Sequence, residues 1–401
     1  MAYYDCRHGV IFALFYSSMS LKDDSLRVAE GGKWATASKV PLDTREQLAL
    51  VYTPGVAEVS KVIVADLAQS YRYTSRGNIV AIISDGSAVL GLGNIGPEAA
   101  MPVMEGKALL FKRFVDIDAI PLVLATQETE EIIATIKNLA PSFGAINLED
   151  ISAPRCFEIE ERLKAELTIP IMHDDQHGTA IVVAAALLNA LRLVDKKIEE
   201  MTVVINGSGA AGVAIARLLV KLHVGTILVV DTTGIVYQGR LDNMNVVKQS
   251  LAEITNREYR QGSLSEAMKG ADVFIGVSKA GLVDQAMVRS MAPEAIVFAM
   301  ANPDPEILPT EALAAGAAVV GTGRSDFPNQ INNALAFPGV FKGTLMSGTK
   351  QITDDMKLAA VYALVEYQAS VVTKDLLLPS ILDSQVHEAV AQAVAQASKV
   401  E

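Results

Sequence analysis

The sequence predicts an α/β protein of two domains: an N-terminal α/β domain, then a doubly wound parallel-sheet domain with C-terminal helices. Three observations carry this. Apolar, β-branched runs of strand length recur, each closed by polar residues and followed by a helical pattern; this is the rhythm of a parallel sheet made of βα units. A glycine cluster, GSGAAG at 207–212, follows one such run and opens a helix. The chain has 401 residues, half of them apolar and a fifth charged, enough for more than one core and unlike a disordered composition.

Along the chain, residues 1–18 differ in character from the rest of the sequence and form an uninformative N-terminal extension, with Met19 as an alternative start. Within it, VIFALFY (10–16) is too short to span a membrane and lacks a cleavage site. The first domain is assigned to 19–179. Its strand candidates are IVAIISD (79–85), closed by the glycine-rich loop GSAVLGLGNIG, then IDAIPLVLAT (117–126), GAINLED (144–150) and TIPIMHD (168–174). Functional residues in such sheets lie just past the carboxyl ends of the strands. A long apolar helix, 178–194, leads into the second domain, 180–401. Its Ile181–Leu188 stretch ends at Asn189 and reads as buried, so no transmembrane segment is expected. TVVIN (202–206), TILVVD, ADVFIGVS, AIVFAMANPDPE and AAVVGTGRSD repeat the strand–helix pattern, and the stretch after Asp354 reads as helices.

The net charge of -12 argues against a nucleic-acid partner, which needs a basic face. It leaves room for a small anionic substrate, because local cations or a metal reverse the local field. Two cysteines, Cys6 and Cys156, lie far apart; they form no disulfide framework and fit a reducing, cytoplasmic setting.

GSGAAG matches G-x-G-x-x-G, a weak signal alone. Here a strand precedes it, a helix follows, and a second strand ends in Asp231, nineteen residues after Gly212. That is the Rossmann arrangement: Gly207 for the tight turn, Gly209 for close approach of the pyrophosphate, Gly212 for helix packing, with Ala210 completing the set. Phosphates sit at the helix N-terminus, where free N–H groups favour anions. Asp231 should accept from the adenosine ribose. The residues after it supply no cation before Arg240, which favours NAD and leaves NADP open.

HDDQH (173–177) has two histidines four positions apart, like the zinc-protease pattern H-E-x-x-H. That pattern needs a continuous helix, whereas this one lies between a strand and Gly178, so His173 and His177 read as supporting residues. Two acidic pairs, Glu149–Asp150 and Asp174–Asp175, each follow a strand. Either pair alone reads as helix capping; two pairs at neighbouring strand ends repel unless a hard cation, Mg²⁺ or Mn²⁺, lies between them. Lys107 lies in an apolar helical run, where it either snorkels to water or, if buried, has a lowered pKa and acts as a base. Tyr52, in VYTPGVAEV, says little alone.

In combination these motifs resemble the malic enzymes of the short bacterial type from about residue 35 to the C-terminus: VYTPGVAEV, SDGSAVLGLGNIG, PVMEGKALLFKRF, INLEDISAPRCFEIE, IPIMHDDQHGTAIV, INGSGAAG, ANPDPEI and NNALAFPG. The resemblance implies decarboxylation of malate to pyruvate with NAD(P) and Mg²⁺ or Mn²⁺. It implies Tyr52 as catalytic acid, Lys107 as catalytic base, Glu149, Asp150 and Asp175 as metal ligands, and Asn302 and Asn333 as substrate-holding residues. It also implies a homodimer. Ala88 stands where long-chain members carry a substrate-gripping arginine, so anchoring differs there. A malolactic enzyme, giving lactate with NAD retained, is the alternative.

Overall fold

The computed structural model describes residues 2–5, 10–13, 20–89 and 91–399, so most of the expected 1–18 extension and Leu90 lie outside the described residues. Two short strands, β1 (Ala2–Asp5) and β2 (Val10–Ala13), pair antiparallel. Four helices follow: α1 (Leu21–Ala29), α2 (Arg45–Val51), α3 (Val56–Ala65) and α4 (Ser70–Tyr73). None of residues 20–79 is buried.

The first core begins at β3 (Ile79–Ser84) and continues through α5 (Pro97–Val115), β4 (Asp118–Val123), α6 (Thr129–Leu139), β5 (Ala145–Leu148), α7 (Arg155–Glu166) and β6 (Ile171–His173). The four strands form an all-parallel sheet in the order β4-β3-β5-β6. All four runs singled out in the sequence are strands. The continuous apolar character of β3, β5 and β6 follows from burial on both faces, the mark of a parallel sheet, while β4 at the edge is mostly half-buried. After β3 the chain places β4 on one side and β5 on the other, so a topological switch point lies between β3 and β5.

Helix α8 (Asp174–Val194) joins the domains. It starts four residues before the expected 178, because the Asp174 and Asp175 carboxylates are favoured at a helix N-terminus and Gly178 tolerates the α region. Its middle is buried nearly all round, and it packs on α9 (Ala210–Lys221) and on α15 (Asp354–Gln368). The second sheet has the order β12-β11-β10-β7-β8-β9, with β7 (Thr202–Asn206), β8 (Thr226–Asp231), β9 (Gly234–Ile235), β10 (Val273–Gly276), β11 (Ile296–Ala299) and β12 (Val319–Thr322). Only β9 runs antiparallel. The second switch point lies between β7 and β10. Helices α10 (Val246–Ile254), α11 (Leu264–Met268), α12 (Gln285–Arg289), α13 (Pro309–Ala314), α14 (Phe337–Ser347) and α16 (Ser384–Ala397) complete the chain.

Among the described residues, two helical stretches meet the length and hydropathy of a membrane span. Asp174–Val194 is the core helix just described. Arg45–Ala65, for which the sequence raised no expectation of a span, is α2 and α3 with a turn between them, and none of it is buried.

Candidate active site

The two switch points face one cavity of about 460 Å³. Ala88 from the loop after β3, Asp150 after β5 and Asp175 in the first turn of α8 line it from the first domain. Gly209, Ala210, Asn302 and Asn333 line it from the second. Ligands of open α/β sheets bind outside the carboxyl ends of strands at such points.

Glu149, Asp150 and Asp175 each offer a carboxylate oxygen within 4.8 Å of the others. The Asp150 N–H donates to Asp175 Oδ2 at 2.7 Å, and Asn147 Nδ2 donates to Glu149 at 2.9 Å. Asp150 Oδ2 is buried without a partner. Burial, then the charge of Asp175, pushes the Asp150 carboxyl up to about 8, and the same two causes raise Glu149 well above its usual range. An oxygen-only donor set with an orphaned oxygen, short of positive charge, fits a hard divalent cation.

Lys107 lies on α5 and is 7% exposed. Its Nζ contacts the Asp174 carboxylate and lies 3.0 Å from Glu149 and 4.2 Å from the Phe337 ring centroid. One turn on, Phe111 meets Phe337 edge-on at 4.9 Å, which holds the ring that the lysine ammonium faces. The expectation that burial lowers its pKa is overturned. Burial acts in that direction, but Asp174, Glu149 and Asp175 outweigh it and hold the ammonium above its ordinary range. Asp174, set aside in the sequence, is thus the nearest partner of Lys107. It also accepts from Asn333 Nδ2 at 2.8 Å. Gly178 is required beneath it: a Cβ there would stand 1.8 Å from Asp174 Oδ1.

The two histidines of HDDQH diverge. His173 precedes α8 and its Nε2 lies 3.0 Å from Asp175, whereas His177 lies inside the helix with its Nε2 3.0 Å from Glu160. The helix is therefore more continuous than expected, yet the rings hold different carboxylates and share no metal position. Burial pushes His177 down to about 4.

In the second domain Gly207 has φ +126°, and Gly212 leaves space for the Gly207 carbonyl, which a Cβ would approach to 1.8 Å. Gly209 caps α9 with open space above it. Asp231 is not free as expected. Arg240 donates to both its oxygens, Lys248 Nζ reaches Oδ2 at 2.7 Å, and the Thr233 N–H donates to Oδ1 at 2.9 Å. The sequence puts the first following cation at Arg240; in the fold that residue and Lys248, nine and seventeen positions on, return to Asp231.

Tyr52, at the end of α2, is 66% exposed and does not line the cavity. Next to Ala88, Arg155 donates to Asp85 at 2.7 Å and to Ser87 at 3.0 Å, a pairing across 70 positions that no local motif announces.

Residues 31–164 match the family model "Malic enzyme, N-terminal domain" and residues 176–399 match "Malic enzyme, NAD binding domain". The chain belongs to the malic enzyme family. It is an NAD(P)-dependent oxidoreductase with the rest of that family. A bifunctional malic/malolactic enzyme of Bacillus subtilis is 52% identical over 387 residues, spanning 95% of this chain and 93% of its own. An NAD-dependent malic enzyme of Geobacillus stearothermophilus is 52% identical over 385 residues, spanning 95% and 79%. An NADP-dependent malic enzyme of Rhizobium meliloti is 46% identical over 385 residues, spanning 92% of this chain and 50% of its own. The NAD-dependent malic enzyme structure from Thermotoga maritima superposes with a TM-score of 0.90 at 48% identity, covering 94% of this chain and 99% of that one.

Proposed function

We propose that the chain oxidises L-malate and decarboxylates it to pyruvate and CO₂ in the cytoplasm, passing hydride to NAD or NADP. One observation carries this: Asp150 and Asp175 line a cavity whose other wall is a dinucleotide-binding turn, Glu149 converges on them, and the buried Lys107 lies 3.0 Å from Glu149. Glu149, Asp150 and Asp175 would hold Mg²⁺ or Mn²⁺, which would polarise the C2 oxygen as it becomes a carbonyl and neutralise charge developing there. Gly207, Gly209, Ala210 and Gly212 would receive the pyrophosphate, with Asp231 at the adenosine end.

Lys107 takes the proton of the malate hydroxyl as hydride leaves C2. It is an ammonium while its acids are unneutralised, so malate oxidation needs their field offset first. Asn302 and Asn333 hold the substrate; Asn333 is already fixed through Asp174. Tyr52 returns a proton to C3 after CO₂ departs. It requires α2 and α3 to lie over a site, and these helices expose Leu50, Val51, Val56 and Val64. We propose that a second copy of the chain covers them, as a homodimer. Leu50→Asp with Val64→Asp should yield monomers by light scattering.

The reaction test is product analysis with malate, NAD and Mn²⁺. Free NADH and pyruvate in equal amounts support the proposal; lactate without free NADH favours the malolactic reading, to which the bifunctional Bacillus relative gives weight.

A further inference from the structure

Asp175 and Thr179 of α8 face the active-site cavity, whereas Gln176, His177 and Ala180 face a second cavity, of about 660 Å³. One wall of it is apolar, with Phe157, Leu218, Val247 and Ile254. The remainder carries four cations, Lys164, Arg217, Lys221 and Lys357. Both domains contribute, through α7, α8, α9, α10 and α15.

Two of the three acids lining this cavity are engaged, and the third, Glu161, is exposed. Glu160 accepts from the His173 N–H at 2.9 Å and lies 2.7 Å from Lys164 and 3.0 Å from His177. Asp354 takes Lys357 at 2.8 Å and Lys221 at 3.2 Å. Four cations thus face three acids. Arg217 has no hydrogen bond or ion pair among the described residues. Lys357, 7% exposed, has three N–H donors and meets only Asp354 and His177 Nδ1, at 2.8 and 3.4 Å. A buried donor without an acceptor is costly unless a ligand supplies one.

We infer that this cavity binds an organic anion, a carboxylate or phosphate head met by Arg217, Lys221 and Lys357 with an apolar body against the Phe157–Leu218 wall. The volume is that of an organic-ligand site and far beyond what an inorganic ion fills. The site is separate from the dinucleotide turn. Gly209 caps the start of α9, and Arg217 lies about 12 Å further along the helix axis at 1.5 Å per residue.

The test is calorimetric titration of the full chain saturated with NAD and Mn²⁺, so that the cofactor cavity is filled. AMP probes a phosphate head on a nucleoside, and hexanoate a carboxylate on an alkyl chain. One probe is expected to bind one per chain, and Arg217→Glu with Lys221→Gln to weaken it at least tenfold while the melting temperature holds. The tighter probe identifies the head group. The inference is overturned if neither probe gives saturable heat, or if the variant binds both as tightly as the parent. The readout needs no turnover, so failure of the malate reaction leaves it intact.

Discussion

Asp150 and Asp231 both stand at the carboxyl ends of parallel strands, one in each domain, and their surroundings are opposite. Asp150 is pushed up to about 8 by burial and by Asp175, with one oxygen unpartnered. Asp231 is held at about 2: burial opposes its charge, but Arg240 and Lys248 prevail. The same topological position thus carries two meanings. The first acid lacks the positive charge that would complete it, as at a ligand site. The second already has two cations and acts as a finished structural unit, which any ribose or phosphate must bind around or disrupt.

The largest expected effect falls on the unfinished side. Lys107→Ala should lower turnover by roughly 10² to 10⁴-fold, the usual worth of a positioned acid or base, with NAD affinity little changed. Steady-state rates beside NAD titration decide it, and a near-parental rate would remove Lys107 from the reaction. Next, Asp175→Asn should weaken Mn²⁺ binding by about 100-fold or more, since a hard cation loses an anionic ligand. Equal affinity by paramagnetic titration would mean the cluster is not the metal site.

On the finished side, Asp231→Ser should release Arg240 and Lys248 towards a 2′-phosphate. We expect the NADP-to-NAD ratio of kcat/KM to rise by about tenfold, the free-energy equivalent of roughly 1.4 kcal/mol. No rise would show that the pair is purely structural. The smallest effect is on stability. Without metal, the folded chain keeps the Asp150 proton up to about pH 8, whereas the unfolded chain loses it near 3.8. The native state then binds more protons than the unfolded state across that window, so stability falls as pH rises through it. The metal-free melting temperature should be lower at pH 8 than at pH 5, and Mn²⁺ should reverse the difference; a flat profile would deny the crowded-acid account.

Much of this was legible because it is local. Strand runs, their polar ends and the glycine turn are contiguous patterns, and each of those strands formed. What escaped depends on chain return. Lys107 meets Asp174 across 67 positions, which reversed the expected direction of its pKa. Arg240 and Lys248 reach Asp231 only because the chain doubles back after β9. The start of α8 was misplaced because Gly178 looked like a boundary, when its missing side chain makes room for Asp174. The bare apolar face of α2 and α3 could not be foreseen from periodicity, which says that a face is apolar and not what covers it.

Helix α8 runs without a break from Asp174 to Val194, across the boundary drawn at 179/180. At 1.5 Å per residue it is a shaft about 30 Å long, with the proposed metal end in the first domain and its apolar length in a core that both domains share. The two halves are therefore poor candidates for exchange at their apparent seam. A chimaera of two homologues crossed over within α8 would mate one parent's carboxylates to another parent's packing, whereas a crossover in the loop before Ile171 would inherit the shaft whole.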